Sequence, residues 1–189
     1  LDSYMFHNYN FFKNYKFLYD DIIKAKKSGI IKSFGISLYD NNSIYDILNN
    51  FPDFDFIQIP FNLFDNENKR KLVVNLSQYK KVKIHARSVF LQGLFFKKIN
   101  DLSGNLTGLK KYLKTLKKIE EKKSLKISDL ALKYVTRKNF IDKVVIGVSN
   151  LKQFKSNLET CKKKFKVPNN EIEKIDVIED YLLNPSNWE

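Results

Sequence analysis

The chain has 189 residues, of which 43% are hydrophobic and 14% aromatic, a composition typical of one globular domain. No apolar run reaches the roughly 18 to 20 residues of a membrane span, and the amino terminus lacks the basic-then-apolar order of a signal peptide. A single cysteine, Cys161, excludes an intrachain disulfide framework. We therefore expect a reducing, cytoplasmic location and no membrane partner.

The formal net charge of +13 would indicate nucleic-acid binding if the basic residues were clustered. Nearly all of them are lysines, and they are spread over every predicted helix, which is typical of solvated helix faces. The densest run, residues 162–166, follows a predicted helix, and cations are favourable near a helix carboxyl end. We expect weak attraction to polyanions and no specific nucleic-acid partner.

Short β-branched or aromatic runs alternate with longer amphipathic runs along the chain, which predicts βα units and a parallel sheet. Gly29 suits the position just past the first predicted helix. The predicted strands cover residues 2–7, 30–37, 55–60, 82–88 and 143–148. The predicted helices cover residues 16–28, 67–79, 107–123, 127–138, 151–161 and 169–182, and a further helix begins near Asn42 or Ser43.

Five such units fit either an open doubly wound sheet or most of a (β/α)8 barrel of the TIM type. A doubly wound dinucleotide-binding fold should carry a G-x-G-x-x-G loop after its first strand, and none follows the first strand here. A barrel usually needs ~250 residues, so about three units are unaccounted for. We predict an α/β barrel in which residues 1–189 form one domain that lacks its amino-terminal strands and helices.

Polar residues stand at the carboxyl ends of all five predicted strands, where functional residues of such barrels gather. This coincidence predicts one shared pocket, and no metal site is predicted within it. The residues are His7 with Asn8, Ser37, Gln58 with Asn62, Arg87 with Ser88, and the run from Gly147 to Asn150.

Four segments at these ends resemble motifs of the aldo/keto reductase family, in that family's order. LDSYMFH (residues 1–7) is similar to the pattern LDxYxxH, and GIIKSFGIS (29–37) is similar to GKIRxIGVSN. IQIPFN (57–62) resembles VQxxYN, and IGVSNLKQFKSN (146–157) resembles the segment that binds the adenosine end of the cofactor. The resemblance implies an NAD(P)H-dependent oxidoreductase that acts on an aldehyde, ketone or sugar carbonyl.

The resemblance gives His7 a catalytic role, in which a neutral imidazole donates a hydrogen bond to the substrate carbonyl. Ser37 and Gln58 match positions that bind the nicotinamide carboxamide. Leu38 departs from the family's usual asparagine, which puts one carboxamide contact in doubt. His85 matches no family site, and we expect it to be a packing or surface residue.

The family's pyrophosphate-crossing loop matches Ser88, Phe90, Gln92 and Gly93, and glycine there lets the backbone approach phosphate closely. Arg87 replaces an aromatic residue that stacks on the nicotinamide in many members. A guanidinium can stack on the ring too, but its charge would repel the oxidised form, so binding an anionic substrate or the pyrophosphate is an alternative.

Near the carboxyl end, the resemblance places Gly147 and Ser149 just before a helix whose first N–H groups can take a phosphate. Gln153 and Asn157 match positions that contact the adenine and its ribose phosphate. The cations available for a 2′-phosphate are the nearby residues Lys152 and Lys155. NADPH is therefore only slightly favoured over NADH.

The family also needs a tyrosine that acts as general acid to the carbonyl oxygen, and an aspartate and a lysine that tune it. These residues come from strands that precede the histidine strand. Neither Tyr4 nor Tyr9 matches that tyrosine, and we assign neither. The sequence therefore leaves two classes open. One is a carbonyl reductase present as an incomplete copy, and the other is a non-catalytic reductase-like interaction protein or a polyanion-binding module; the oligomeric state is not predicted.

Overall fold

Five strands form one sheet in the order β1-β2-β3-β4-β5 in the computed structural model, which describes residues 1–188. Glu189, the last residue of the predicted domain, lies outside the described residues. The strands are β1 (Tyr4–Phe6), β2 (Phe34–Ser37), β3 (Phe56–Pro60), β4 (Lys83–Arg87) and β5 (Lys143–Val144).

Helices follow each of these strands. They are α1 (Tyr9–Asn14), α2 (Tyr19–Lys27), α3 (Asn41–Asn50), α4 (Glu67–Lys80), α5 (Lys110–Lys123), α6 (Ile127–Thr136), α7 (Leu151–Lys162) and α8 (Asn169–Glu173). Short 3-10 helices cover Lys16–Leu18, Leu91–Phe96, Ile99–Asp101, Gly104–Leu109, Asp180–Leu183 and Pro185–Asn187. The predicted series of βα units is confirmed.

The strands are parallel and lie in sequential register, with Phe6 opposite Ile36 and Ser37 opposite Gln58. Every residue of β2 is buried, which is typical of a parallel sheet covered on both faces. At Gly35 an added Cβ would lie 2.3 Å from the ring of Phe56, so only glycine fits that position of β2.

The chain divides into two compact units. Unit 1 comprises Leu1–Pro60, Arg70–Ala86 and Phe140–Lys143, and unit 2 comprises Phe61–Lys69, Arg87–Asn139 and the chain from Val144 onward. Unit 1 has an aromatic core in which the rings of Phe12 and Phe51 lie 4.8 Å apart and those of Phe34 and Phe54 4.4 Å apart. Such ring pairs each add about 0.5 to 1.5 kcal/mol beyond their buried area.

Unit 2 is held by buried polar side chains as well as by its apolar core. The rings of Phe61 and Tyr134 are stacked at 5.6 Å. The Asn66 amide is fully buried and donates to the carbonyls of Ile172 at 3.1 Å and Ile175 at 2.9 Å. These bonds fix the segment beyond α8 against the start of α4.

Several predicted boundaries need correction. The fifth strand was predicted over 143–148 but pairs only over Lys143–Val144, and the terminal helix, predicted over 169–182, ends at Glu173. At this end of the helix, Asn66 donates to the carbonyls of Ile172 and Ile175 and so satisfies acceptors that the helix leaves unpaired. Helix α1 was not predicted.

The helix predicted to begin near Asn42 or Ser43 is capped by Asp40, whose carboxylate accepts the N–H of Ser43 at 2.8 Å. The predicted end of the first long helix is correct. Gly29 follows the cap residue Ser28 with φ +78°, a left-handed conformation that favours glycine.

Many of the lysines that give the chain its charge are in ion pairs. Lys138 is bonded to Glu67 and Glu173 and lies over the Tyr134 ring, while Lys26 pairs with Asp55. Such pairing agrees with solvated and neutralised lysine faces rather than with a single basic stripe.

No helix within residues 1–188 is long and apolar enough to cross a membrane.

Candidate cofactor-binding site

Three of the predicted site residues lie in or directly after neighbouring strands of unit 1. His7 is exposed and follows β1 directly, Ser37 is buried at the end of β2, and Gln58 is half-buried in β3. Ser37 and Gln58 are paired across the two strands, and the Leu38 N–H donates to the Gln58 carbonyl at 2.9 Å. Adjacent parallel strands therefore bring these three residues to the same edge of the sheet.

The loop that carries His7 is fixed by the start of α1. Asn8 caps this helix, because its side-chain oxygen accepts the N–H of Phe11 at 2.8 Å. His7 is thus held between the last residue of a strand and a helix cap, with its ring in solvent. A histidine in this position can donate a hydrogen bond to a bound carbonyl oxygen.

Tyr9 is close to His7 in sequence, but its hydroxyl proton already takes part in a hydrogen bond. Its hydroxyl donates to Asp46 at 2.7 Å, and this hydrogen bond to a carboxylate raises the pKa of Tyr9 above its ordinary value. The ring of Tyr4 is stacked on Phe34 at 6.2 Å within the strand layer. Both observations agree with leaving these tyrosines unassigned as a general acid.

Unit 2 contains a cavity of about 830 Å³ that brings together most of the remaining predicted residues. This volume falls within the range of about 300 to 1,000 Å³ that is usual for small-molecule sites. The predicted residues that line it are Ser88, Phe90, Gln92, Gly93, Gly147, Ser149, Gln153 and Asn157. The two segments that the sequence assigned to pyrophosphate and adenosine thus face one space.

One wall of the cavity is the turn after β4, which has unusual backbone geometry. Ser88, Leu91 and Gln92 have φ values of +57°, +45° and +47°, and Gly93 has φ +80°. Non-glycine residues rarely adopt the left-handed region, and each costs about 1 to 2 kcal/mol there. The burial of Leu91 and a bond from the Gly93 N–H to the Phe90 carbonyl at 2.9 Å maintain the turn.

This geometry is relevant to anion binding. Phe90 precedes the left-handed run with φ −100° and ψ 7°, near the right-handed helical region. Turns that combine right- and left-handed residues point successive N–H groups in one direction, which is how backbone concavities bind anions. The N–H groups of Leu91 and Gly93 already donate within the turn to the carbonyls of Ser88 and Phe90, so a phosphate would have to be bound by other N–H groups of this turn.

The opposite wall is the amino-terminal part of α7. Asn150 caps the helix by accepting the N–H of Gln153 at 2.9 Å, and the Gln153 side chain accepts the N–H of Ser149 at 2.8 Å. Two N–H groups that could bind a phosphate at this helix start are thus bonded to side chains. Asn157, one turn further along, is half-buried and lines the cavity.

Lys152 is the only cation among the described residues that line the cavity, and Lys155 does not line it. Arg87 is also not part of this lining within the described chain. Its guanidinium donates to the Ser88 side-chain oxygen at 3.2 Å, so it supports the turn from one side. The charge available to a ligand in this cavity is therefore that of Lys152.

Several further lining residues were not predicted, among them Phe96, Ser128 and Ser156. Phe96 is exposed, and its ring lies 5.4 Å from that of Phe90, so the two form one aromatic wall. A signal for Phe96 was present in the sequence, because an aromatic pair follows the glycine of the turn. Ser128 lies on α6, remote in sequence, and no motif pointed to it.

His85 has the role expected for it. It is buried in β4, and its ring is stacked on Phe56 at 4.4 Å. Burial lowers the pKa of His85, and the charges of Lys143 and Lys83 lower it further. The residue is a neutral packing partner.

Within residues 1–188, no group of three or more histidine, cysteine or acidic side chains is placed to hold a metal ion.

A parallel sheet with helices after its strands defines an α/β protein, and in unit 2 a loop and a helix start face one cavity. The family model of the aldo/keto reductase family matches residues 1–180. The chain belongs to that family. No curated protein matches the sequence.

Solved structures of aldo-keto reductases have the same fold. The holo form of an aldo-keto reductase from Bacillus halodurans matches with a TM-score of 0.75 and 20% identity, over 93% of this chain and 59% of that one. The thermostable aldo-keto reductase Tm1743, solved with the inhibitor epalrestat, matches with a TM-score of 0.62 and 16% identity, over 96% of this chain and 60% of that one. The chain thus spans about three fifths of the length of these relatives, and the predicted fold class is confirmed.

Proposed function

We propose that this chain belongs to an NAD(P)H-dependent oxidoreductase that reduces a small carbonyl compound, an aldehyde, a ketone or a sugar. The cavity of unit 2 carries the proposal, because it joins the turn from Ser88 to Gly93 with the start of α7. The sequence motifs of these two segments both resemble segments that bind one dinucleotide in the family. The lone, exposed Cys161 supports a reducing compartment such as the cytoplasm.

The residues of the cavity fit the adenosine diphosphate part of such a cofactor. The left-handed turn can present N–H groups to the pyrophosphate, and the aromatic wall of Phe90 and Phe96 offers an apolar surface for a flat ring. Asn157 supplies an amide that can both donate to and accept from a purine. Lys152 is available to a 2′-phosphate, which supports the slight preference for NADPH.

In unit 1, Ser37 and Gln58 would hold the nicotinamide carboxamide, since they are adjacent and provide donors and acceptors. A reduced nicotinamide supplies the hydride that a carbonyl carbon accepts. His7 would donate an N–H to the carbonyl oxygen and so stabilise the negative charge that develops there. Each of these roles is the one that the family resemblance implies for the residue.

The proton that the carbonyl oxygen needs has no assigned donor in this chain. Tyr9 is held by Asp46, and that bond raises its pKa, which makes it a poorer acid. General acid catalysis typically contributes ~10² to 10⁴ in rate. We therefore propose that residues 1–189 bind the cofactor but reduce carbonyls very slowly.

The test is a fluorescence titration of the protein with NADPH and NADH, using Asn157→Ala and the matched control Asn170→Ala. Asn170 is an exposed asparagine of α8 that does not line the cavity. We expect Asn157→Ala to weaken binding about tenfold, the effect of about 1.4 kcal/mol, while Asn170→Ala leaves it unchanged. Absence of binding by the unmodified chain, or equal effects of both variants, would overturn the proposal.

A further inference from the structure

The loop between β3 and α4 contains two asparagines, Asn62 and Asn66, and both are fully buried. A buried amide is costly unless hydrogen bonds satisfy it, so each of these side chains must have a defined set of partners. Asn66 binds the segment beyond α8. Asn62 is not among the described residues that line the cavity of unit 2. Its hydrogen bonds lead instead to the turn that forms one wall of that cavity.

Asn62 first fixes its own loop. Its side-chain oxygen accepts the N–H of Phe64 at 2.9 Å and the N–H of Asp65 at 3.0 Å. Its backbone N–H donates to the Asp65 carbonyl at 3.0 Å. Asparagine favours such a local bend, because its side chain can bond backbone groups two and three residues further on. Two bonds thus hold the oxygen of the amide in place, and they hold its nitrogen with it.

The amide nitrogen of Asn62 connects this loop to the turn after β4. It donates to the Ser88 carbonyl at 3.2 Å. One residue earlier, the Phe61 N–H donates to the Arg87 carbonyl at 3.1 Å. The Asn62 N–H does not continue this ladder, because it is bonded to Asp65. The side chain therefore takes the place of the backbone and bonds the next carbonyl along the chain.

The Ser88 carbonyl is the point where the turn begins. It accepts the Leu91 N–H from within the turn at 2.9 Å and the Asn62 amide from outside it, and a carbonyl oxygen has two lone pairs for these bonds. Ser88 has a left-handed backbone, with φ +57°. A serine keeps this costly conformation only where the surrounding structure maintains it. The Asn62 amide supplies such a contact.

We propose that Asn62 is a positioning residue that holds the turn from Ser88 to Gly93 in the conformation that forms the cavity wall. Its importance for binding rests on the proposed function, in which this turn binds the pyrophosphate of the cofactor. Asn62 acts through the Ser88 carbonyl, since it does not line the cavity within the described chain. A turn that leaves its binding conformation for part of the time has a lower affinity in the same proportion.

The first test needs no ligand. The N–H groups of Leu91 and Gly93 are bonded within the turn at 2.9 Å each, so their rates of exchange with solvent measure how often the turn opens. Asn62→Ser removes the amide donor, while the shorter hydroxyl can still accept from nearby N–H groups. We expect both N–H groups to exchange on the order of tenfold faster, the effect of one lost hydrogen bond.

Asn66→Ser is the matched control. Asn66 is likewise fully buried in the same loop, and its amide donates to two backbone carbonyls, but these belong to Ile172 and Ile175. The variant therefore removes a comparable amide from unit 2 without removing the bond to Ser88. Both variants should lower the melting temperature, and only Asn62→Ser should accelerate exchange in the turn. Unaltered exchange in Asn62→Ser, or equal acceleration in both variants, would overturn the proposal.

The second test compares two probes, ADP and adenosine, in titrations followed by nuclear magnetic resonance. ADP carries the pyrophosphate, while adenosine carries only the part that the proposed function assigns to α7. Asn62→Ser should weaken binding of ADP about tenfold and change that of adenosine less than about twofold. Asn66→Ser should leave the ratio of the two affinities unaltered. A loss of stability alone weakens both probes equally, so equal weakening by Asn62→Ser would refute the positioning role.

The two tests distinguish a failure of the positioning role from a failure of the proposed function. An unmodified chain that binds neither ADP nor NADPH would refute the proposed function, while the exchange rates of Leu91 and Gly93 would still decide the role of Asn62. If Asn62→Ser does not fold, Asn62→Asp replaces it in the exchange measurement. Its carboxylate keeps the size of the amide and both accepted bonds but cannot donate to Ser88. The same acceleration is then expected, and unaltered exchange would overturn the proposal.

Discussion

The backbone N–H of Ser149 donates to the side-chain oxygen of Gln153 over 2.8 Å. This bond closes the start of α7 together with the Asn150 cap, in the manner of a capping box. Gln153 therefore has two roles. It lines the cavity, and it holds Ser149, another lining residue, in place. The motif match assigned this glutamine only to the cofactor.

We expect Gln153→Ala to lower the free energy of unfolding by about 0.5 to 1 kcal/mol, because the Ser149 N–H loses its partner. Gln153→Glu should retain the stability, since a carboxylate can accept the same bond and is favourable at a helix amino terminus. Urea denaturation measures both. Equal losses for the two variants would show that the bond contributes nothing.

The variant Gln153→Glu should also change the affinity of the chain for the two cofactors. A new negative charge beside Lys152 should weaken binding of NADPH more than binding of NADH, because NADPH carries an additional phosphate. Titration of Gln153→Glu with both nucleotides measures the ratio of the two affinities. An unchanged ratio would place the 2′-phosphate away from α7.

Replacing Gly35 should destabilise unit 1. The Cβ of Gly35→Ala would lie 2.3 Å from the Phe56 ring, and overpacking of this kind costs about 1 to 3 kcal/mol. The double variant Gly35→Ala with Phe56→Leu should recover part of the loss. Gly147→Ala serves as the control, since an added Cβ there meets no atom within 4 Å. Chemical denaturation of the four proteins provides the comparison.

Acid should weaken unit 2 through Glu179. A hydrogen bond from the Tyr112 hydroxyl at 2.7 Å, followed by one from Lys111, lowers the pKa of this carboxyl from 4.5 to about 2. A lowered folded-state pKa stabilises the fold above the unfolded value, and the contribution is lost as pH falls from about 4.5 towards 2.

Thermal unfolding between pH 5 and pH 2 should therefore depend less steeply on pH in Glu179→Gln than in the unmodified chain. The exposed residue Glu159 provides the control variant, Glu159→Gln. A pH dependence that Glu179→Gln leaves unaltered would contradict the assigned role of the Tyr112 bond.

The turn after β4 should tolerate glycine better than its own side chains. Gln92→Gly removes left-handed strain at φ +47°, and after the entropy cost of glycine we expect a net gain of about 0.5 to 1 kcal/mol. Gly93→Ala, at φ +80°, should lose about 1 kcal/mol. Urea denaturation tests the opposite signs, and a loss for Gln92→Gly would show that its side chain stabilises the turn.

The sequence predicted those parts of the fold that depend on local pattern. Buried β-branched strands such as β3 and the glycine after α2 follow from composition and spacing. The features that the sequence did not predict involve contacts between residues far apart in the chain. The pairing of β5 stops at Val144, and the end of α8 accepts a hydrogen bond from Asn66, about a hundred residues away, which no local pattern indicates.

The backbone conformation of the residues that line the cavity could also not be predicted from the sequence. Leu91, Gln92 and Gly93 all adopt the left-handed region, and at Leu91 and Gln92 no local preference indicates this. Ser128 joins the cavity through the packing of α6 alone. Motifs identified the segments of the site, and tertiary packing determined its walls.

The buried Asn66 amide has a consequence for how the chain folds as it is synthesised. Its partner Ile172 lies 106 residues further along, so this bond cannot form until residue 172 has left the ribosome. Contacts of such long sequence separation form slowly. Unit 2 should therefore be the last part to become protease-resistant during translation, and premature termination before residue 172 should leave a polar hole in its core.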